Sequence, residues 1–252
     1  MSEGPLIIRL SAATLAAFDS YVREAERVMK STLRPTGLFL WCDADPELQK
    51  RIRLGAIEAQ LWSGTGPAKV PAGLIHDWIG AAFAPDSTVD QVLALVQDYD
   101  HHKNVYKPEV VESKLISRDG NAFKIYMRFL KKKIITAVLD TDHDVHYECV
   151  GPKRWFCRSH TTRTVEVEQA NTPKEYKLPL DTGYGFMWRL NSYWRFEEKT
   201  EGVYLECRAI SLTRDVPLGL GLLIEPIVRK LPKESLVNTL AATRKALELR
   251  KK

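Results

Sequence analysis

Two short stretches concentrate the side chains that bind metals or move protons. DYDHHKNVYKP (Asp98 to Pro108) sets adjacent histidines among acids and lysine, and DTDHDVHYEC (Asp140 to Cys149) sets two more histidines among acids. Neither spacing suits chelation. Neighbouring residues on a helix diverge by about 100°, so His101 and His102 point apart, and a helix C-terminus favours cationic residues of this kind. On a strand, His143 and His146 face opposite sides. No metal and no cofactor is expected. The chain has no GxSxG, P-loop or HExxH motif, so no residue is assigned a catalytic role from sequence. The titratable groups that could do acid–base work inside a cavity are His143 and Tyr147, with Arg163 to stabilise an oxyanion.

What those groups can do depends on which face of a strand they occupy. Ile134–Val150 and Lys153–Glu168 read as strands, and their odd positions form a mostly apolar line interrupted by polar groups. Pairing the two lines brings Thr141 and His143 near Ser159, Thr161 and Arg163, with Tyr147 and Trp155 further along. A polar cluster in an apolar groove is what a ligand pocket needs. Arg163 would hold an anionic head group. The same cluster could also sit at a solvated rim, and long strands bulge, which swaps faces. In Tyr184–Glu198 the even line, including Trp188, Trp194 and Phe196, is the inward one. If residues 199–202 turn tightly, Trp194 lies opposite Cys207, Phe196 opposite Leu205, and Arg195 opposite Glu206 as an outward charge pair.

The remaining elements follow from periodicity and turn chemistry. Ser11–Lys30 is an amphipathic helix capped by Ser11, with Leu15, Phe18, Val22, Ala25 and Val28 on one face. Short strands are expected near Gly37–Cys42 and Leu54–Trp62, then a Gly/Pro/Ser-rich linker over Ser63–Gly73. This divides the chain into an N-terminal extension (1–72) and a main domain (73–252). Leu74–Ala84 reads as a strand, and a helix capped by Asp86 or Ser87 follows. Val110–Ser117, Ala122–Lys131 and Gly202–Thr213 complete the strands, with Asp119-Gly120 as a hairpin turn. A long helical region, Leu218–Leu249, closes the chain, broken at Pro226 and Pro232.

A chain of 252 residues with 27% charged residues and net charge +5 is ordinary for a globular protein. It lacks the basic stripe with interleaved aromatics that nucleic-acid binding needs. Four cysteines without a CxxC pair read as reduced thiols. The N-terminus does not read as a signal peptide, and no stretch is apolar enough for stable membrane insertion. A cytoplasmic location is the expectation.

One strand, helices, six strands and a long closing helix describe a curved seven-stranded antiparallel sheet wrapped around that helix, an α+β class. The segments DWIGAAFAPDSTVDQVLALVQDYDHHKNVYKP, SYWRFEEKTEGVYLECRAISLTR and VPLGLGLLIEPIVRKLPKESLVNTLAATRKAL resemble the START/SRPBCC superfamily over about residues 74–249. The resemblance implies the helix-grip fold, and an acid at the Glu206 position often joins a buried pair in that family. It implies binding, with transport as an extension, of a lipid, polyketide or isoprenoid in an internal cavity. The walls would be Phe123, Ile125, Met127, Phe129, Trp155, Trp188, Trp194 and Phe196, with Pro217–Gly221 as a lid. The alternatives are an aromatase/cyclase-like enzyme in the same cavity, and a filled scaffold or protein-interaction module.

Overall fold

The computed structural model describes residues 7–132, 136–215 and 221–250, with side chains for all of these but 221–229. In chain order the elements are β1 (Ile8–Arg9), α1 (Ala12–Lys30), a 3-10 turn (Trp41–Ala44), α2 (Pro46–Arg53), β2 (Glu58–Leu61), β3 (Ala68–Val70), β4 (Gly73–Pro85) and α3 (Val89–Val96). A second 3-10 turn (Tyr99–His101) and α4 (His102–Val105) lead into β5 (Val110–Asp119), β6 (Ala122–Lys132), β7 (Thr136–Gly151) and β8 (Arg154–Glu168). The short β9 (Tyr176–Lys177) and β10 (Thr182–Gly183) precede β11 (Arg189–Lys199), β12 (Gly202–Arg214) and α5 (Gly221–Leu249).

The long strands run β4-β12-β11-β8-β7-β6-β5, each antiparallel to its neighbour. β2 and β3 pair with the free side of β4. The Asp119-Gly120 turn forms as expected, Gly120 holding φ +56° in a region closed to most side chains. The expected register of the last hairpin is met: Trp194 pairs with Cys207, Phe196 with Leu205 and Arg195 with Glu206.

Both faces of this sheet are covered. On the concave face lie α3 and α5, with Leu236, Leu240 and Leu247 of α5 buried against Ala82, Ala84, Leu205 and Phe196. Gly80 permits the contact, because a Cβ there would come 3.0 Å from Leu240 Cδ1 and 2.9 Å from the Glu58 carbonyl. On the convex face lie α1, α2 and the segment between them. Phe18, Val22, Ala25 and Met29 of α1, with Phe39, Leu48 and Ile52, bury Ile75, Phe83, Tyr193, Tyr204, Ile210 and Leu212. Ser11 caps α1 through Thr14 N (3.1 Å). The buried stripe of α1 ends at Met29, while Val28 is 40% exposed.

Several expectations are corrected. Arg195 and Glu206 are not an outward pair. The N-terminal segment covers them, so both are buried. Arg195 donates to the carbonyls of Phe39 and Met29 and to Thr32 Oγ1, and Glu206 accepts from Trp41 N. Residues 37–42 form no strand, because Asp43 Oδ2 takes the N–H groups of Phe39 and Leu40 and tightens the chain into the 3-10 turn. α2 arises from PELQKRIR, capped by Asp45 with Pro46 in the first turn. α3 is capped by Thr88 in a reciprocal box with Gln91, not by Asp86 or Ser87. β11 starts at Arg189 rather than Tyr184, since the Glu166 carboxylate captures the N–H groups of Tyr184, Gly185 and Phe186. α5 runs unbroken through Pro226 and Pro232. Each interior proline costs about 3 kcal/mol, and burial of Leu236, Leu240 and Leu247 against the sheet outweighs the cost at Pro232.

Candidate ligand-binding groove

The concave face divides into two halves of different chemistry. The half under the C-terminal part of α5 is apolar and filled. Tyr99, Phe123 and Tyr147 meet edge to face at 5.4 and 5.5 Å. The Tyr99 and Tyr147 hydroxyls are 2.8 Å apart, and Tyr147 also donates to the Val96 carbonyl. Burial pushes the Tyr147 phenol well above its ordinary range and Cys157 up to about 12. Neither is a ready acid or nucleophile at neutral pH.

The described side chains of the other half are mostly hydroxyls and imidazoles. Register lays out a row across the sheet: Trp78 beside Ala209, Ala209 beside Ser192, Ser192 beside Ser159. The next row holds Ser211, Leu190, Thr161 and His143, Leu190 N bonding Thr161 Oγ1 at 3.0 Å. Thr141 and Thr164 pair beyond it. The Thr141 hydroxyl donates to the Met127 carbonyl (3.0 Å) and accepts from His143 Nε2 (2.9 Å), which places the ring proton on Nε2. Ser159 Oγ lies 3.4 Å from the free Nδ1. Burial pushes His143 down to about 4, outweighing Asp142 and Asp144, so the ring is neutral at pH 7.

Around this polar island the apolar side chains are incompletely covered. Trp78, Met127, Phe129, Trp155 and Trp194 are all partly exposed. Trp194 stacks on Phe196 at 5.7 Å, and Phe129 meets His143 edge-on at 6.4 Å. Two buried polar atoms on the same face, Trp78 Nε1 and Thr164 Oγ1, have no hydrogen-bond partner among the described residues. Buried polar atoms are rarely left unpaired.

The structure therefore gathers Thr141, His143, Ser159 and Thr161, with Tyr147, Trp155, Trp194 and Phe196 on the same face. It separates two of the expected residues. Arg163 leaves the groove because a bulge between the Asp142–Arg163 and His143–Thr161 pairs swaps its face, and it forms a fork with Asp142 outside. Trp188 precedes β11 and lies buried in the convex core. Trp78, Ser192 and Thr164 were missed. For two of them the signal was available: Trp78 lies on the even line of Leu74–Ala84, and Ser192 on the even line of the inward strand; Thr164 reaches this face only through the β8 bulge. Of the expected lid, residues 217–220 lie outside the described residues and Gly221 opens α5.

The other histidine-rich stretch is structural. His102 is buried against Tyr99 and Tyr106, its Nε2 bonds the Val96 carbonyl, and burial pushes it down to about 4. His101 is exposed and pairs with Asp98. Among the described residues no group of His, Cys, Asp and Glu is placed to hold a metal ion. The four cysteines are free thiols, and no described helix is long and apolar enough to cross a membrane. Two clefts, of about 200 and 270 Å3, lie away from the groove, beside Glu166 and between α1 and β8.

No family model and no curated protein matches the chain. Solved structures of similar shape include a STAR-related lipid transfer protein fragment from Xanthomonas axonopodis, 15% identical with TM-score 0.49, covering 73% of this chain and 98% of that one. Human STARD10 is 11% identical with TM-score 0.48 over 87% and 86% of the two chains. The Zhui aromatase/cyclase from Streptomyces is 9% identical with TM-score 0.45 over 71% and 96%. Strand order, antiparallel register and the closing helix make this chain a helix-grip fold.

Proposed function

We propose that the protein binds one hydrophobic or amphipathic small molecule, of lipid, polyketide or isoprenoid character, between the concave face and α5. The observation that carries this reading is the pair of unpartnered buried polar atoms, Trp78 Nε1 and Thr164 Oγ1, in a groove whose aromatic walls are incompletely covered. Apolar walls supply burial and the island around His143 supplies orientation. The aromatase/cyclase alternative would draw on His143 and Tyr147. A buried neutral imidazole and a phenol already bonded to Tyr99 and Val96 favour binding over proton transfer.

The test is a thermal-shift titration of the full chain with apolar and amphipathic compounds. A binder at a hundred times its Kd stabilises by about 2.7 kcal/mol, which is several degrees for a chain of this size. Trp155 and Trp194 line the groove, so tryptophan fluorescence should change along with Tm. A flat response in both signals across the panel would instead favour a filled scaffold.

A further inference from the structure

The groove reading leaves open what kind of polar end the ligand carries. The hydrogen bonds of Thr141, His143 and Ser159 all go to neutral partners: a backbone carbonyl, a hydroxyl or the imidazole itself. Arg163, the side chain best suited to a carboxylate or phosphate, is turned to the far face by the β8 bulge and is neutralised there by Asp142. Asp142 and Asp144 lie across the sheet with their own cationic partners, Arg163 and Lys124. Farther along β8, Glu166 is saturated by three backbone N–H groups. The face offers, at two separate places, an N–H donor at Trp78 and a hydroxyl at Thr164, neither with a hydrogen-bond partner among the described residues. These suit a hydroxyl or carbonyl oxygen. Among the described side chains the lysines on this side are Lys131, bonded to Glu109 and Ser235, and exposed Lys233, 5.7 Å from the centroid of the Trp78 ring.

Resting on the groove reading, we propose that the site selects ligands whose polar end is uncharged, a hydroxyl or a ketone, over ligands that end in a carboxylate or phosphate. A buried anion with only neutral partners loses far more hydration than it regains. A neutral oxygen loses little and satisfies whichever of the two separate atoms it reaches.

The experiment is competition against the neutral dye Nile red on the full chain at pH 7.5. The competitors are a primary alcohol, a methyl ketone and a carboxylate of equal chain length. The alcohol and ketone should displace the dye at least about thirtyfold more strongly than the carboxylate. A carboxylate that competes equally well, its head held at the rim by Lys233, would overturn the selection while leaving the groove intact. Failure of Nile red and of all three compounds to bind would overturn the groove reading itself, and the selection with it. Thr164→Val, which is isosteric, should weaken the alcohol and ketone by about three- to tenfold relative to an alkane of equal chain length. Unchanged affinity for all of them in this variant would show that the polar end does not reach the island, and would overturn the assignment.

Discussion

Glu206 gives the sharpest test of how the N-terminal segment is fastened to the sheet. It lies fully inside, accepts from Trp41 N, and has Arg195 Nε at 3.9 Å. Burial pushes its carboxyl from the ordinary 4.5 up to about 7, outweighing the attraction of Arg195 and Arg208 and the hydrogen bond from Trp41. A carboxyl raised on folding stabilises the native state fully below its unfolded value and loses that contribution as pH rises through the folded value. The window is therefore pH 4.5 to 7, with stability falling as pH rises. At about 1.4 kcal/mol per pH unit the full loss is about 3 kcal/mol. Between pH 5 and 8 about 2 to 3 kcal/mol of it should be seen. Glu206→Gln keeps the shape and the acceptor oxygen and cannot ionise. Urea unfolding of both proteins at pH 5, 6, 7 and 8 isolates the term, because other titrations cancel in the difference. The stability difference should shift by that amount in favour of the variant as pH rises. The amide nitrogen adds a constant offset, so the slope is diagnostic. A pH-independent difference would refute the reasoning. It would mean that Glu206 stays ionised throughout and that Arg195 compensates its burial.

Other outcomes follow from the same packing. Gly80→Ala puts a methyl 2.9 Å from the Glu58 carbonyl and 3.0 Å from Leu240, and should cost about 1–3 kcal/mol by denaturant unfolding. Leu240→Ala empties a fully buried position between α5 and β4, and should cost about 3–5 kcal/mol in the same assay. Tyr147→Phe removes the bonds to Tyr99 and the Val96 carbonyl, and should cost about 1–2 kcal/mol, seen as a lower urea midpoint at unchanged slope. Deleting residues 1–53 uncovers Ile75, Phe83, Tyr193, Tyr204, Ile210 and Leu212. The truncated chain should aggregate or bind hydrophobic dyes, and a monomeric two-state product would contradict the packing described.

Local chemistry made the meander legible. Asp119-Gly120 and Gly151-Pro152 punctuate the strands, and period-two alternation in β11 and β12 was enough to set the register of that hairpin. The convex layer was harder to read. Alternation sorts residues into two faces without saying how each is covered, and Asn191, Arg195, Glu197 and Glu206 look like a solvated line. Tyr193, Tyr204, Ile210 and Leu212 share that face, and their apolar bulk was the signal that something lies over it. α2 has only Leu48 and Ile52 on its buried side, too few to stand out in PELQKRIR. The β8 bulge falls in Thr161-Thr162-Arg163-Thr164, which carries neither glycine nor proline to announce it. One extra residue there removed Arg163 from the groove and put Thr164 in it. The polarity of the site was thus legible in sequence, while its charge was not.

Native mass spectrometry of the purified full chain, followed by denaturing extraction and identification of whatever is released, tests ligand binding most directly. A stoichiometric adduct whose released compound is apolar with a hydroxyl or ketone at one end is the predicted result. A clean mass for the bare chain, with no adduct forming after incubation with alcohols, ketones and lipids, would contradict it.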